Sequence, residues 1–61
     1  MTVYVRAVEA SGKIVGYYDV APDNIDNQYK AADEVFVATT RTPNVDDNYI
    51  DLETGEMRSD P

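Results

Sequence analysis

The chain has 61 residues, contains no Cys and no His, and carries 12 acidic against 5 basic side chains, for a formal net charge of −7. A chain of this length predicts one small domain over residues 1–61 with a marginal core, without the disulfides or zinc sites that stabilise many small domains. The missing His and Cys disfavour an enzyme or a thiol site, and the negative charge disfavours direct binding to nucleic acid or to an anionic membrane.

The first hairpin is predicted from two segments of alternating polarity, residues 2–10 and 14–20. Ser11-Gly12 is a plausible two-residue turn between them, because Gly adopts the positive φ that tight hairpin turns require. This turn fixes the register of the two strands. The expected cross-strand pairs are Val3 with Val20, Val5 with Tyr18, and Val8 with Val15.

That register assigns the side chains of the hairpin to two faces. Tyr18 is expected in the core, on the apolar face with Val3, Val5 and Val20. The opposite face would carry Tyr4, Arg6, Val8, Val15 and Tyr17, with Arg6 beside Tyr17 and diagonal to Asp19. This second face is too apolar to be fully solvated, so we expect a partner or a symmetry mate to cover it.

The middle of the chain contains an ambiguous segment followed by a strong strand. Residues 23–32 space Ile25, Tyr29 and Ala32 as a short helix would, with Asp23 able to cap its start, but an irregular loop remains the alternative. Residues 34–40 are rich in β-branched and aromatic side chains and predict a strand. The strand should end at residues 41–44, where Pro43 cannot join a ladder.

The chain ends in a second predicted hairpin, formed by residues 48–52 and 56–58. A two-residue loop at Thr54-Gly55 would set Glu53 opposite Glu56, which like-charge repulsion disfavours. A three-residue loop with Gly55 in the left-handed position instead pairs Leu52 with Glu56. The expected fold is therefore mainly β, a small antiparallel sheet of four to five strands made from two hairpins, with a short helix or loop around residues 23–32.

The second hairpin also holds most of the negative charge, because residues 46–60 contain six carboxylates and one basic side chain. Oxygen-rich loops at 23–27 and 46–51 do not fit a calcium-loop pattern, so we expect no metal and no cofactor. The acids could simply solubilise the protein, dock a basic partner, or imitate nucleic acid. The predicted acidic surface consists of Asp46, Asp47, Asp51, Glu53 and Glu56.

Five tyrosines provide the candidate contacts with a protein partner, since Tyr is enriched in protein interfaces. The residues expected at such an interface are Tyr4, Arg6, Tyr17 and Tyr49. No signal peptide and no transmembrane segment is apparent, so secretion by a signal peptide is not expected.

Two passages resemble small proteins of tailed bacteriophages. The ending Tyr49–Met57 resembles the Tyr-hydrophobic-Asp…Thr-Gly-Glu hairpins of such proteins, and the opening from Val3 to Tyr18 is similar to the strand–turn–strand start of tail-fibre accessory proteins. The resemblance implies a structural subunit of a virion, associated with fibre, tail or capsid, that docks on a larger virion protein or forms a homo-oligomer. It would be located in the virion or the host cytoplasm. The alternative is a small acidic inhibitor that imitates nucleic acid to block a host enzyme.

Overall fold

The computed structural model describes residues 2–60, which form five strands and one short 3₁₀ helix and confirm the mainly β class. The elements in chain order are β1 (Thr2–Val8), β2 (Ile14–Val20), the 3₁₀ helix (Pro22–Asn27), β3 (Glu34–Thr39), β4 (Tyr49–Ile50) and β5 (Met57–Arg58).

The five strands form two antiparallel sheets that a short bridge connects. The larger sheet has the order β2-β1-β3, so the first strand of the chain is the central one, and β4 pairs with β5. Lys13 bridges to Tyr49, while Ile50 N–H donates to the Gly12 carbonyl at 2.9 Å. The start of the second hairpin is therefore attached to the end of the first hairpin's loop.

The hydrophobic core lies between the two sheets and is small. Val5, Ala7 and Ile50 are its buried residues, and Ile14, Val37 and Met57 pack against them while partly exposed. Because a chain of this length has little interior to fill, only one face of the larger sheet is covered in this way. We call this side the core face.

The predicted register of the first hairpin is wrong by one residue. Tyr18 lies opposite Tyr4, and Arg6 lies opposite Gly16. The connection is a four-residue loop instead of a two-residue turn: Val8 N–H donates to the Lys13 carbonyl at 2.9 Å, and Gly12 N–H donates to the Val8 carbonyl at 2.7 Å. Gly12 closes this loop at φ +77°, and an irregularity at Arg6/Ala7 then shifts the pairing again.

The one-residue offset reverses the predicted faces of residues 16–20 in β2, because side chains alternate between the two sides of a strand. Tyr18 is not in the core; it lies on the face opposite the core with Tyr4 and Arg6. Tyr17 instead shares the core face with Val5, and it does not neighbour Arg6. The strand boundaries at residues 14–20 were nevertheless predicted correctly.

The second hairpin uses the same kind of loop as the first. Asp51 N–H donates to the Glu56 carbonyl and Gly55 N–H to the Asp51 carbonyl, both at 2.8 Å, so four residues form the loop and Asp51 pairs with Glu56. The predicted three-residue loop and the Leu52–Glu56 pair are wrong. Gly55 does take the predicted left-handed conformation, at φ +77°.

Glu53 does not face Glu56, as the charge argument predicted, but the four-residue loop brings Asp51 opposite Glu56 instead. The Asp51 carboxylate points into its own turn. Its Oδ1 accepts hydrogen bonds from the N–H groups of Glu53 at 2.8 Å and Thr54 at 3.2 Å. Arg58 Nη2 lies 3.7 Å from Asp51 Oδ2 and 3.9 Å from Glu56 Oε1. Two carboxylates can therefore occupy opposite positions, since one is hydrogen-bonded to backbone and a cation lies near both.

The ambiguous segment contains one short helix, which ends before the residues expected to extend it. Pro22 is in its first turn, Ala21 is the N-cap, and no side chain caps the start, so Asp23 does not play the predicted capping role. Since the helix ends at Asn27, Tyr29 and Ala32 lie in the irregular stretch that leads to β3. Within residues 2–60 no helix is long and apolar enough to cross a membrane.

Candidate protein-binding surface

The second side of the larger sheet is only partly covered by the chain, and we call it the open face. Its residues follow from the register: they come from alternate positions of β1, β2 and β3 on the side away from Val5 and Ala7. Most of them are intermediate in exposure, and none is buried. They are Thr2, Tyr4, Arg6, Val8, Gly16, Tyr18, Val20, Glu34, Phe36 and Ala38.

Arg6 occupies the centre of the open face. Its Nε lies 3.2 Å from Glu34 Oε1 on β3, although the geometry is that of a charge contact and not of a hydrogen bond. Its Cζ lies 5.5 Å from the centre of the Tyr29 ring, within the range of a cation–π interaction. A long contact of 3.5 Å joins Nη1 to the Tyr18 hydroxyl. Arg6 therefore connects β2, β3 and the stretch before β3, and its guanidinium group is engaged in contacts within the chain.

Aromatic side chains surround this arginine. Tyr18 packs edge-to-face on Phe36 with ring centres 5.9 Å apart, and its hydroxyl donates to the Tyr29 carbonyl at 3.2 Å. Glu34 accepts a hydrogen bond from Ala31 N–H at 2.9 Å. These contacts hold the stretch before β3 against the open face, but Tyr29 remains 69% exposed.

A second exposed apolar region lies along the outer edge of β2. Val15 is 40% and Tyr17 is 49% exposed. Ile14 N–H donates to the Asn48 carbonyl, but among residues 2–60 no backbone hydrogen bond continues along the outer side of Val15–Val20. An edge strand with free backbone groups and exposed apolar side chains is a template for pairing with another strand. We call Val15–Val20 the β2 edge.

The four predicted interface residues do not form one flat surface. Tyr4 and Arg6 lie on the open face, whereas Tyr17 is on the core face at the β2 edge. Tyr49 is half-buried in β4 beside Lys13. One planar contact could cover Tyr4 and Arg6 together, but Tyr17 is reached only from the edge or the other side. Sequence analysis missed Tyr18 as a member of the open face because of the register error, and it missed Phe36 because it did not predict the pairing of β1 with β3.

The predicted acidic surface divides into two groups. Asp47 and Asp51 are engaged in local structure, whereas Asp46, Glu53 and Glu56 are exposed. The hydrogen bond that Asp47 Oδ2 accepts from the Arg41 guanidinium lowers the pKa of Asp47, and the hydrogen bond that the same oxygen accepts from Asn44 N–H at 2.9 Å lowers that pKa further. The hydrogen bond to Asp47 also raises the pKa of Arg41. These contacts order a turn at residues 44–47 whose tip, Val45, is 96% exposed.

The pKa of Asp51 is also lowered, chiefly by the two backbone N–H groups of its turn and further by Arg58. A carboxylate whose pKa is lower in the folded than in the unfolded chain stabilises the fold above its unfolded value, about 4, and this contribution is lost as the pH falls through the folded pKa. Asp47 follows the same rule.

We therefore expect the Asp47→Asn/Asp51→Asn double variant to show a weaker loss of stability between about pH 4 and pH 2 than the unaltered protein. The variant no longer carries the two carboxylates whose protonation is linked to unfolding. The measurement is urea denaturation followed by circular dichroism across this pH range. Asp46→Asn/Glu53→Asn makes the same change of charge at exposed positions, and an equal flattening in that control would contradict the assignment to Asp47 and Asp51.

A shallow cleft lies at the junction of the two hairpin loops. It has a volume of about 170 Å³ and is lined by Ser11, Tyr49, Ile50, Asp51 and Arg58. Pockets for organic ligands are usually about 300–1,000 Å³. Within residues 2–60 there is also no cluster of three or more side chains suited to hold a metal ion. The open face and the β2 edge are therefore the better candidates for a functional surface.

Comparison with known proteins finds no match to a protein-family model, to a curated protein or to a solved structure. The functional argument therefore depends on the surfaces of this chain.

Proposed function

We propose that this protein is a non-enzymatic binding subunit that docks on a larger protein, and that it serves as an accessory component of a bacteriophage virion. The observation that carries the first part is the open face. It presents Tyr4, Tyr18 and Phe36 around Arg6 on a sheet that the chain itself covers only partly.

The composition of the open face supports protein binding. Aromatic residues and Arg are enriched in the centres of protein interfaces, where they contribute a large contact area at low conformational cost. Tyr18 and Arg6 are already held by contacts to Phe36, Tyr29 and Glu34. Because these side chains are ordered before a partner arrives, binding would lose less conformational entropy.

The virion role is the finer part of the proposal, and it depends on the resemblance of the two hairpins to small proteins of tailed bacteriophages. A domain with a small core fits this role, because docking on a larger assembly adds the apolar burial that the isolated chain lacks. The exposed acids Asp46, Glu53 and Glu56 would orient the subunit towards a basic region of the larger protein.

The test is to look for the chain in purified phage particles by mass spectrometry and to wash those particles at increasing ionic strength. The proposal expects the chain in particles at a constant ratio to the major structural proteins. It also expects the chain to remain bound in high salt, since apolar contacts are not screened.

The opposite result is a chain that is absent from particles but copurifies with a host nucleic-acid enzyme and is released steeply by salt. That outcome would reject the virion role in favour of an acidic inhibitor.

The role of the open face is tested with the variant Tyr4→Ala. Its control is Val45→Ala, which alters an exposed residue away from the open face. The proposal expects only Tyr4→Ala to reduce the bound fraction.

A further inference from the structure

We propose that two copies of this chain associate through their β2 edges, which pair antiparallel about a two-fold axis at Tyr17 and extend the three-stranded sheet to six strands. The second copy of the chain would be one of the protein partners that the proposed function requires. The biological role of this dimer therefore rests on the proposed function.

The β2 edge is the better of the two outer edges for such pairing. Val15–Val20 has no backbone partner on its outer side among the described residues, and it carries two exposed apolar side chains. On the other outer strand, β3, the second hairpin approaches the backbone. A Cβ added to Gly55 would lie only 3.4 Å from the Ala38 carbonyl oxygen. The edge of β3 is thus partly blocked, whereas the β2 edge is open.

The charge distribution favours a second copy at this edge in particular. Two identical chains each carry −7, so they repel unless their contact uses surface of low charge. Residues 1–22 contain two acidic and two basic side chains and are neutral, whereas residues 23–61 carry the whole net charge. Within Val15–Val20 the one ionised side chain is Asp19. The β2 edge therefore has low charge, and two copies can meet along it without acids facing acids if each Asp19 lies opposite an uncharged residue.

The two-fold symmetry restricts the register. In an antiparallel pair related by a two-fold axis, one residue faces its own copy, and opposite residues share a face of the sheet. With Tyr17 on the axis, the two Tyr17 rings become cross-strand neighbours, Val15 faces Asp19 of the second copy, and Gly16 faces Tyr18. No carboxylate then faces another, and Tyr17, the most exposed large apolar side chain of the strand, is covered in both copies.

The experiment uses the full chain in sedimentation equilibrium over a concentration series up to about 1 mM, the weak end of specific association. The inference expects the mass to rise from 6.8 kDa towards twice that value. Added salt should strengthen the association, because it screens the repulsion between two acidic chains. A mass that stays at 6.8 kDa throughout would overturn the inference.

Two substitutions locate the contact without disturbing the core. Tyr17→Lys places two like charges at the axis and should weaken the dimer at least about tenfold, since an edge lysine blocks strand pairing. Val45→Lys makes the same change of charge at a 96% exposed residue and should leave the dimer unaltered. Equal weakening by both would show that association does not use the β2 edge.

The absence of native cysteine permits a direct geometric test. On oxidation of the dimer, Tyr17→Cys should form an intermolecular disulfide, because directly opposed residues of paired strands lie about 4.5–5.5 Å apart at Cα, within disulfide range. Val45→Cys should crosslink much more slowly. Equal rates for the two variants would reject the Tyr17 axis.

The outcomes for the dimer and for the proposed function are separate. A monomer that is nevertheless found in phage particles would reject the dimer and retain the virion role. A chain that dimerises but is absent from phage particles would reject the virion role and retain the dimer.

Discussion

Replacing Gly12 with alanine is expected to destabilise the protein by about 2–5 kcal/mol. An L-residue at φ +77° costs about 1–2 kcal/mol, and the new Cβ would lie 2.6 Å from the Ile50 carbonyl oxygen, where overpacking costs about a further 1–3 kcal/mol. The contact cannot open easily, since Ile50 N–H is bonded to the Gly12 carbonyl. A domain of this length has about 3–9 kcal/mol of stability in total, so a large part of it would be lost.

The other glycines separate the two causes. Gly55→Ala has the same φ but meets its nearest backbone atom at 3.4 Å, so only the conformational cost of about 1–2 kcal/mol is expected. Gly16→Ala has neither problem, because its nearest neighbours are guanidinium atoms of Arg6 at 3.8 Å or more. Urea denaturation of the three variants should rank Gly12→Ala as the least stable. Equal losses at Gly12 and Gly55 would show that the close approach to Ile50 has no effect on stability.

Replacing Ile50 with alanine is expected to cost about 2–5 kcal/mol, because it removes three buried carbons from a core with very few members. Ile50 is 4% exposed and is the main contribution of the second hairpin to the core face. The loss should therefore loosen β4 and β5 from the larger sheet as well as reduce global stability.

Leu52→Ala is the matched control, since Leu52 has the same number of carbons in a side chain that is 38% exposed. Its expected cost is below about 1 kcal/mol. Thermal and urea unfolding followed by circular dichroism provide the comparison. Similar losses for the two variants would contradict the assignment of Ile50 to the core.

Sequence alone was sufficient for the strand segments but not for the register. Alternating polarity located β1 and β2, and β-branched residues located β3, because these signals are local. The register depended on the loop at residues 9–12 and on the irregularity in the pairing at Arg6/Ala7. A Ser-Gly pair fits a two-residue turn, yet the hydrogen bonds between Val8, Gly12 and Lys13 enclose four residues. The local sequence does not distinguish a two-residue turn from a four-residue loop here, because Gly12 is the last residue of the loop in either case.

The irregularity in the pairing at Arg6/Ala7 explains what was missed in the candidate site. The four-residue loop alone shifts the register by two residues, which leaves each side chain on its predicted face, whereas the irregularity adds a shift of one residue. A change of one residue in register moved Tyr18 to the open face and Tyr17 to the core side of the β2 edge. The pairing of β1 with β3 was also beyond sequence patterns, because it joins residues far apart in the chain. Similarly, repulsion between acids could not reveal that the Asp51 carboxylate binds its own turn.

The central position of β1 has a consequence for how the chain reaches its fold. Its pairs with β2 join residues 7 to 18 positions apart, whereas its pairs with β3 span 26 to 36 positions. Closing the shorter loops loses less chain entropy, so the first hairpin is expected to form before β3 arrives. During synthesis, β1 is therefore an edge strand until residue 39 has emerged and β3 can pair with it. A nascent chain halted before that point would expose the unpaired backbone groups of β1, which could pair with strands of other chains.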